Sequence, residues 1–297
     1  MRLRIIYRSY GGENMKNRPP YFGKALALQS LLRAAEAVDA DILFMNDGPI
    51  PEERLSLMRD AGEVVTLPSV GMRRSYVEGL RVPARRGWSD DDLVWFSEDD
   101  YLYVPEALVL LREAATQLSV DYFALYGGTE EYPVGPDGST PWTPDDWAPG
   151  SSAVIDGQQW ERIMSTTSTF GARPGALRHD LSIFLQGLLP HKKMYRDNDT
   201  CMVYQGYQPH EWRQLGLDLL GRTSGTPRER AREALLVPFK AALNVRSHRR
   251  PANRRTLLAA VPNLATHLEI EWLSPGRDWE HVARETAIWA TSRANSR

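Results

Sequence analysis

Short apolar blocks alternate with longer amphipathic stretches over the first 126 residues of the chain. The apolar blocks predict buried strands at residues 2–8, 41–47, 63–67, 93–96 and 121–126. Apolar side chains at helical spacing predict helices at residues 23–38, 52–61, 75–82 and 105–118. The third helix is expected to end near Pro83, because proline interrupts a helix. Strand alternating with helix indicates an α/β fold, a mostly parallel sheet with helices on both faces.

The remainder of the chain is patterned less regularly. Residues 127–150 are rich in glycine and proline and lack periodicity, which is typical of a functional loop or a lid. A helix is predicted to begin near Asp180, and residues 191–255 are predicted to be mainly helical. Residues 261–279 return to an apolar character, and residues 279–290 are predicted to form a terminal helix.

Composition narrows the class of protein. A chain of 297 residues, 42% of them hydrophobic, can bury a sizeable core, and its net charge of −2 does not favour nucleic acid or an anionic membrane as a partner. The single cysteine, Cys201, excludes an intrachain disulfide. The apolar run at residues 3–7 is too short for a signal peptide, and no run approaches the roughly 20 apolar residues of a membrane span. We expect a cytoplasmic protein; the oligomeric state cannot be read from the sequence.

Three consecutive carboxylates follow the apolar block at residues 93–96. Glu98, Asp99 and Asp100 repel one another, so folding alone would rarely select them at a strand end. A divalent cation such as Mg²⁺ or Mn²⁺ would remove that repulsion, because hard cations prefer carboxylate oxygens. The alternative is a solvated acidic turn that closes an ordinary strand.

Four segments in order carry a resemblance to a known family. Residues 91–102 read Asp-Asp-Leu-Val-Trp-Phe-Ser-Glu-Asp-Asp-Tyr-Leu, and the further segments are residues 165–170 followed by 179–180, 262–269, and 272–275. In these segments the chain resembles bacterial GT-A fold glycosyltransferases, family-2-like, with a DXD-like motif. The resemblance covers residues 1–186 and 257–280. It implies a core at residues 1–186, a mainly helical insertion at residues 187–256, and a C-terminal segment at residues 257–297 that returns to the core. It implies a Rossmann-like GT-A core and the metal-dependent transfer of a sugar, of hexosyltransferase type, from a nucleoside-diphosphate donor to a hydroxyl acceptor, with inversion.

The resemblance also implies roles for the acidic residues and a late histidine. Asp100 would bind the metal ion, Mn²⁺ or Mg²⁺, and Glu98 or Asp99 would contact the ribose. His267 would reach back as a metal or phosphate ligand, although a lone histidine is more often a packed structural residue. Glu98 stands where the family usually has aspartate, and its side chain is one methylene longer, which shifts the position of its carboxylate.

Residues at the ends of earlier strands are expected to contact the nucleotide. Asp47 would accept a hydrogen bond from the ring N–H of the base, or would instead cap the turn that follows it. The backbone of Arg8 and Ser9 would lie beside the base, or Arg8 would pair with a surface acid. Arg73 and Arg74, as a pair, would bind the diphosphate, whereas the alternative is a basic face of a helix.

The acceptor side of the reaction needs a base and a binding surface. Asp180 is the candidate catalytic base that takes the proton from the acceptor hydroxyl, although an aspartate at a helix start is also a good N-cap. Glu130 and Glu131 are reserve candidates on the loop. Trp142 and Trp147 would stack on an acceptor, a sugar or another small molecule, or would pin the loop to the core.

Two other functions remain open from the sequence. A sugar-1-phosphate nucleotidyltransferase also combines a metal-binding carboxylate with a nucleotide, but its first loop is normally rich in glycine, arginine and lysine. Here Gly11 and Gly12 are followed by acidic Glu13, with Lys16 and Arg18 beyond. A non-catalytic carbohydrate-binding protein of the same fold is the second alternative, and the intact acidic triplet argues against it.

Overall fold

The computed structural model describes residues 1–13, 16–127, 142–144, 147, 153–189, 196–248 and 254–295. Its strands are β1 (Leu3–Tyr10), β2 (Ala40–Asp47), β3 (Glu63–Leu67), β4 (Leu93–Glu98), β5 (Tyr101–Tyr103), β6 (Tyr122–Ala124), β7 (Ala153–Ile155), β8 (Gln158–Arg162), β9 (Phe170–Ala172), β10 (Leu257–Val261) and β11 (Ala265–His267). Its helices are α1 (Lys24–Ala35), α2 (Glu52–Ala61), α3 (Met72–Arg85), α4 (Ala107–Gln117), α5 (Pro174–Gly187), α6 (Asp197–Gln205), α7 (Trp212–Leu219), α8 (Pro227–His248) and α9 (Trp279–Asn295), with a 3₁₀ turn at Ile270–Trp272.

One large mixed sheet organises the described part of the chain. Its strand order is β3-β2-β1-β4-β9-β6-β10-β8-β7, and β5 and β11 form a separate antiparallel pair. Seven of these nine strands point the same way, and β9 and β8 run against them. The fold-class prediction is confirmed: this is an α/β protein with a mostly parallel sheet flanked by helices. The parallel run β3-β2-β1-β4 followed by antiparallel β9 agrees with the GT-A type that the resemblance implies.

Alternating side chains place a hydrophobic core on each face of the sheet. Leu3 and Ile5 of β1 and Trp95 of β4 pack with α1, α4 and α9 on one face. Ile6 and Phe96 point to the other face, against α3, α5 and α6. Burying each such side chain stabilises the fold by about 1.5–3 kcal/mol. Both faces are therefore covered, which is why the sequence shows continuous apolar blocks instead of alternation.

Two helix boundaries differ from the predictions. Helix α3 begins three residues before residue 75 and continues through Pro83, which lies in its last turns and packs in the core with Leu80 and Val82. A proline there removes only one backbone hydrogen bond, and the buried surface offsets that loss. Helix α5 begins at Pro174, a residue suited to the first turn of a helix.

The stretch predicted as a helical insertion contains helices α6, α7 and α8 in its described part. Helix α6 is not peripheral, because Cys201, Val203 and Tyr204 are buried in the core beneath the sheet. After it, β10 enters the sheet between β6 and β8. No helix in the described ranges is long and apolar enough to cross a membrane.

The carboxyl ends of β2, β1 and β4 meet at one edge of the sheet. The strand register pairs Tyr10 with Asp47 and Arg8 with Glu98. Side chains that follow these strand ends therefore lie close together, as is usual for ligand sites in parallel sheets.

Candidate functional site

Glu98, the last residue of β4, accepts a hydrogen bond at each of its two carboxylate oxygens. Its Oε1 accepts a hydrogen bond from the Arg8 guanidinium at 2.5 Å, and its Oε2 accepts one from the Ser168 hydroxyl at 2.6 Å. Its backbone N–H donates to Thr169 Oγ1 at 3.2 Å. Arg8 is itself buried and lies over the ring of Tyr76. Residues 165–169 thus form a loop that holds the acidic motif, and Arg8 pairs with the motif and not with a surface acid.

Asp99 is buried and joins the end of β1 to two cations. Its Oδ2 accepts hydrogen bonds from the Ser9 hydroxyl at 2.8 Å and the Tyr10 backbone N–H at 3.1 Å. The Lys24 ammonium lies 2.9 Å and the Arg54 guanidinium 3.9 Å from the same oxygen. Both cations are buried. Asp99 therefore fixes the strand end, which brings Ser9 into the site as predicted.

Lys24 and Arg54 were missed by sequence reasoning. Lys24 is the first residue of α1, where a positive charge opposes the helix dipole. Arg54 lies in the first turns of α2 and reaches the backbone carbonyls of Tyr10 and Gly11 at 3.5 and 3.4 Å. The only available signal was the unfavourable position of Lys24, which indicates a partner outside the helix.

Asp100 is surrounded by basic side chains. Its Oδ2 lies 3.0 Å from the Arg18 guanidinium, 3.3 Å from the Lys16 ammonium and 3.3 Å from Nε2 of His267. Burial alone would raise the pKa of this carboxyl, but the hydrogen bond and charge of His267, with the charges of Lys16 and Arg18, hold it well below its usual value. Asp100 is therefore an ionised, buried carboxylate.

His267 lies beside Asp100, as the resemblance implied. It is on β11, which pairs with β5 directly after the acidic motif, and its ring packs edge-on against Tyr101 at 5.0 Å between centroids. Nε2 of His267 lies 3.3 Å from Oδ2 of Asp100, and the Lys16 ammonium lies 3.3 Å from each of these two atoms and 3.1 Å from Glu269. In the described residues, no set of three or more His, Cys, Asp or Glu side chains is arranged to hold a metal ion. The side chains as arranged do not fit a divalent cation.

Asp47 holds the loop that precedes α3. Its Oδ1 and Oδ2 accept hydrogen bonds from the backbone N–H groups of Val70 and Gly71 at 2.6 and 2.7 Å. The carboxylate thus supports a neighbouring loop and not the turn that follows it. Each carboxylate oxygen has a second lone pair, so contact with a base stays a prediction.

An open cavity of about 630 Å³ lies beside this loop and the start of α3. Arg73, Arg74 and Arg81 line it on one side and Leu188 on the other. The carbonyl of Met72, next to the arginines, accepts a hydrogen bond from Arg8 at 3.4 Å. Arg8 of β1 thus contacts a residue that lines the cavity, and the volume of the cavity is typical of small-molecule sites.

Asp197, the first residue of α6, was missed by sequence reasoning. It lies in the wall of a small cavity with Tyr76 and Thr167. Burial raises the pKa of Asp197 to about 7. The negative charge of Glu98 adds to this rise, and the positive charge of Arg8 opposes it. The residue falls in residues 187–256, which the resemblance does not match. Its position as the first residue of a helix is typical of aspartate and gives no indication of a catalytic role.

The assignment of Asp180 as catalytic base is not supported by its position. Asp180 is the seventh residue of α5 and does not open the helix. Its side chain is fully buried and accepts hydrogen bonds from the Tyr122 hydroxyl at 3.0 Å and from Arg255 at 2.8 Å. It joins α5 to the sheet and cannot reach an acceptor. The reserve candidates, Glu130 and Glu131, lie outside the described residues.

Both tryptophans predicted to bind the acceptor pack on protein groups. The Trp142 indole N–H donates to the carbonyl of Gln208 at 3.1 Å. Trp147 packs edge-on against Tyr207 at 5.2 Å between ring centroids, with the guanidinium of Arg162 over its ring. These contacts attach the two residues to the segment after α6, which favours the alternative in which they pin the loop. An acceptor contact stays a prediction.

No family model and no curated protein matches this sequence. Among solved structures, the chain is similar to S. aureus TarS 1–349 in complex with UDP-GlcNAc, with 16% identity and a TM-score of 0.41 over 68% of this chain and 52% of that chain. It is also similar to a 4-diphosphocytidyl-2C-methyl-D-erythritol synthase, with 12% identity and a TM-score of 0.40 over 80% and 99%. Another TarS structure is matched over 33% of its own length. These similarities are weak, so function has to be read from the site.

Replacing Asp180 tests its structural role. We expect Asp180→Ala to lower the free energy of unfolding by about 3–5 kcal/mol, because Arg255 would keep a partly buried charge without this partner. Exposed His179→Ala, on the same helix, is the matched control and should change stability by less than about 0.5 kcal/mol. Urea unfolding measures both. An Asp180→Ala protein of native stability would contradict this role.

Proposed function

We propose that this protein is a glycosyltransferase of GT-A type that moves a sugar from a nucleoside-diphosphate donor to a hydroxyl acceptor. The observation that carries the proposal is the position of Asp197. A carboxyl group with a pKa of about 7 lies in a small cavity between α3, α6 and the loop at residues 165–170, where the charges of Glu98 and Arg8 act on it. A base of that pKa is suited to taking a proton from a hydroxyl near neutral pH.

The donor would lie along the carboxyl ends of β2, β1 and β4. Asp47 and the ends of β1 would contact the nucleoside. Glu98 would be the ribose contact, because its side chain is more exposed than that of Asp99, at 22% against 10%. The diphosphate would be bound by cationic side chains. Arginines that line the adjoining cavity supply such charge, because a guanidinium forms paired hydrogen bonds with phosphate oxygens.

Asp197 would act on the acceptor. As the acceptor oxygen attacks the anomeric carbon, its proton would pass to the Asp197 carboxylate, and the bond from that carbon to the diphosphate would break. A single displacement of this kind inverts the anomeric configuration. The walls around Asp197 are formed by α3, α6 and the loop at residues 165–170, which limit access of water.

A second candidate is a sugar-1-phosphate nucleotidyltransferase. It is favoured by Lys16 and Arg18, which lie in the loop after β1 and contact Asp100 as a basic phosphate-binding loop would. In that reaction the attacking phosphate oxygen is already ionised, so no general base is required. Asp197 therefore favours glycosyl transfer, and pyrophosphate release from a nucleoside triphosphate and a sugar 1-phosphate would identify the alternative.

The pH dependence of turnover tests the role of Asp197. Because only the ionised carboxylate can accept a proton, the rate should rise with pH and level off above about 7, falling about tenfold for each pH unit below that. Asp197→Asn should lower kcat by about 10²–10⁴-fold and remove this dependence. The exposed Asp39→Asn is the matched control and should keep the wild-type profile. An Asp197→Asn enzyme with an unchanged profile would exclude the role.

The same group predicts a stability change that requires no substrate. The pKa of Asp197 is higher in the folded protein than the value of about 4 in the unfolded chain, so the folded state binds more protons between the two values. Stability should therefore fall as pH rises from about 4 to about 7. At each pH, the free energy of unfolding of wild type is subtracted from that of Asp197→Asn. This difference should be about 2 kcal/mol larger at pH 8 than at pH 4, after allowance for partial exposure of the side chain. Parallel urea titrations at the two pH values measure this difference.

Nucleotide binding tests the cavity arginines. The double variant Arg73→Gln with Arg74→Gln should weaken binding of the preferred nucleoside diphosphate by about 10- to 100-fold, because each charged hydrogen bond to phosphate contributes about 1.5–3 kcal/mol. Calorimetric titration with UDP, GDP and dTDP identifies the nucleotide. Arg59→Gln, which breaks only an exposed pair with Glu52, is the control. Equal affinity of the double variant and wild type would remove the arginines from the site.

A further inference from the structure

The ammonium of Lys16 is surrounded by three potential metal ligands. It lies 3.3 Å from Oδ2 of Asp100, 3.3 Å from Nε2 of His267 and 3.1 Å from Oε2 of Glu269. Carboxylates and imidazoles are ligand types that divalent cations use, but in the described residues no three such groups lie close enough together to hold one. The atom that lies among these three groups is the side-chain nitrogen of Lys16.

The spacing fits the ammonium and not a metal ion in the same place. The three distances from the ammonium, 3.1 to 3.3 Å, lie at or slightly beyond the usual hydrogen-bond length of about 2.7–3.2 Å, whereas Mg²⁺ binds oxygen at about 2.0–2.1 Å. A metal ion at the position of the Lys16 nitrogen would leave every ligand more than about 1 Å too far away. The ligands would have to close in, and the lysine would have to leave.

Charge balance also favours the lysine. The negative charges of Asp100 and Glu269 are matched by the positive charges of Lys16 and Arg18. A divalent cation would find no net negative charge in this cluster and would be repelled by both basic side chains. Lys16 is also the most exposed of the side chains around Asp100, at 33% against 12% for Arg18 and 11% for His267. Lys16 is therefore the basic side chain of this cluster that a ligand can reach most readily.

We infer that Lys16 occupies the cation position of this site and binds the donor diphosphate in place of a divalent metal. This inference rests on the proposed function. During transfer, the bond from the anomeric carbon to the diphosphate oxygen breaks and its electron pair stays on that oxygen. The acceptor oxygen forms the new bond to the carbon, and its proton passes to Asp197. The negative charge that develops on the leaving diphosphate is offset by the Lys16 ammonium.

Titration with Mn²⁺ alone tests the cation position directly. Wild-type protein should show no Mn²⁺ binding below about 1 mM, whereas Lys16→Met should bind Mn²⁺ at least about tenfold more tightly, because two carboxylates lose their neutralising charge. Adding Asp100→Asn to Lys16→Met should abolish this binding. Lys240→Met, which breaks a pair with Asp218 and Glu233 on α7 and α8, is the matched control and should behave as wild type. Metal binding is measured by the paramagnetic resonance signal of free Mn²⁺.

Two metal-binding results would overturn the inference. Tight Mn²⁺ binding by wild type that depends on Asp100 would mean that the site accepts a metal despite Lys16. Absence of Mn²⁺ binding in Lys16→Met would mean that the converging groups are not a cation position. Neither result depends on the protein being a glycosyltransferase.

Nucleotide titration completes the test. The nucleoside diphosphate preferred among UDP, GDP and dTDP should bind wild type equally well in EDTA and in Mn²⁺. Lys16→Met should lose about 10- to 100-fold in affinity in EDTA and regain part of it when Mn²⁺ is added. Binding that requires Mn²⁺ in wild type would overturn the inference and leave the proposed function standing. If none of the three nucleotides binds under either condition, the proposed function fails, and the Mn²⁺ titration still decides the role of the Lys16 position.

Discussion

Mutual repulsion among the three carboxylates at the end of β4 is the constraint on which the site depends. The fold meets it by giving each acid its own basic partners from a different element. Glu98 pairs with Arg8 of β1, Asp99 with Lys24 of α1 and Arg54 of α2, and Asp100 with basic residues of the loop between β1 and α1. Neutralising the acids thus also joins the first strand, the first two helices and the first loop to the acidic turn.

This division of partners separates structural from chemical roles within one short motif. Asp99 is buried with hydrogen bonds to the end of β1, so its charge is used to build the sheet edge. Glu98 and Asp100 lie to either side of it, near Asp197 and near Lys16 respectively. A carboxylate that is buried among cations stays ionised, whereas Asp197, buried with a like charge nearby, binds its proton more tightly. The site therefore combines an ionised acid, Asp100, with a proton acceptor, Asp197, whose pKa is raised.

A residue's position can be predicted from the sequence only where the residues next to it in the chain determine that position. Strand ends depend on apolar blocks that sequence alone shows, and the ends of β1, β2 and β4, with Arg8, Ser9, Asp47 and the acidic motif, lie at one edge of the sheet. Their contact with a nucleotide stays a prediction. Asp180 was misassigned because its helix begins earlier than the pattern indicated, which moves the residue from a helix start into the core. Its partners, Arg255 and Tyr122, are distant in sequence, and nothing local indicates them.

The sequence by itself determined the α/β class, the strand ends and the acidic motif, because the periodicity of apolar residues and the order of strands are local properties. Only the tertiary structure decided which cation faces which acid, that Lys16 lies among Asp100, His267 and Glu269, and that Asp197 reaches the end of β4. Those pairings join residues separated by up to about 250 positions in the chain. Burial and nearby charge set the chemistry of each group, and both are properties of the folded neighbourhood.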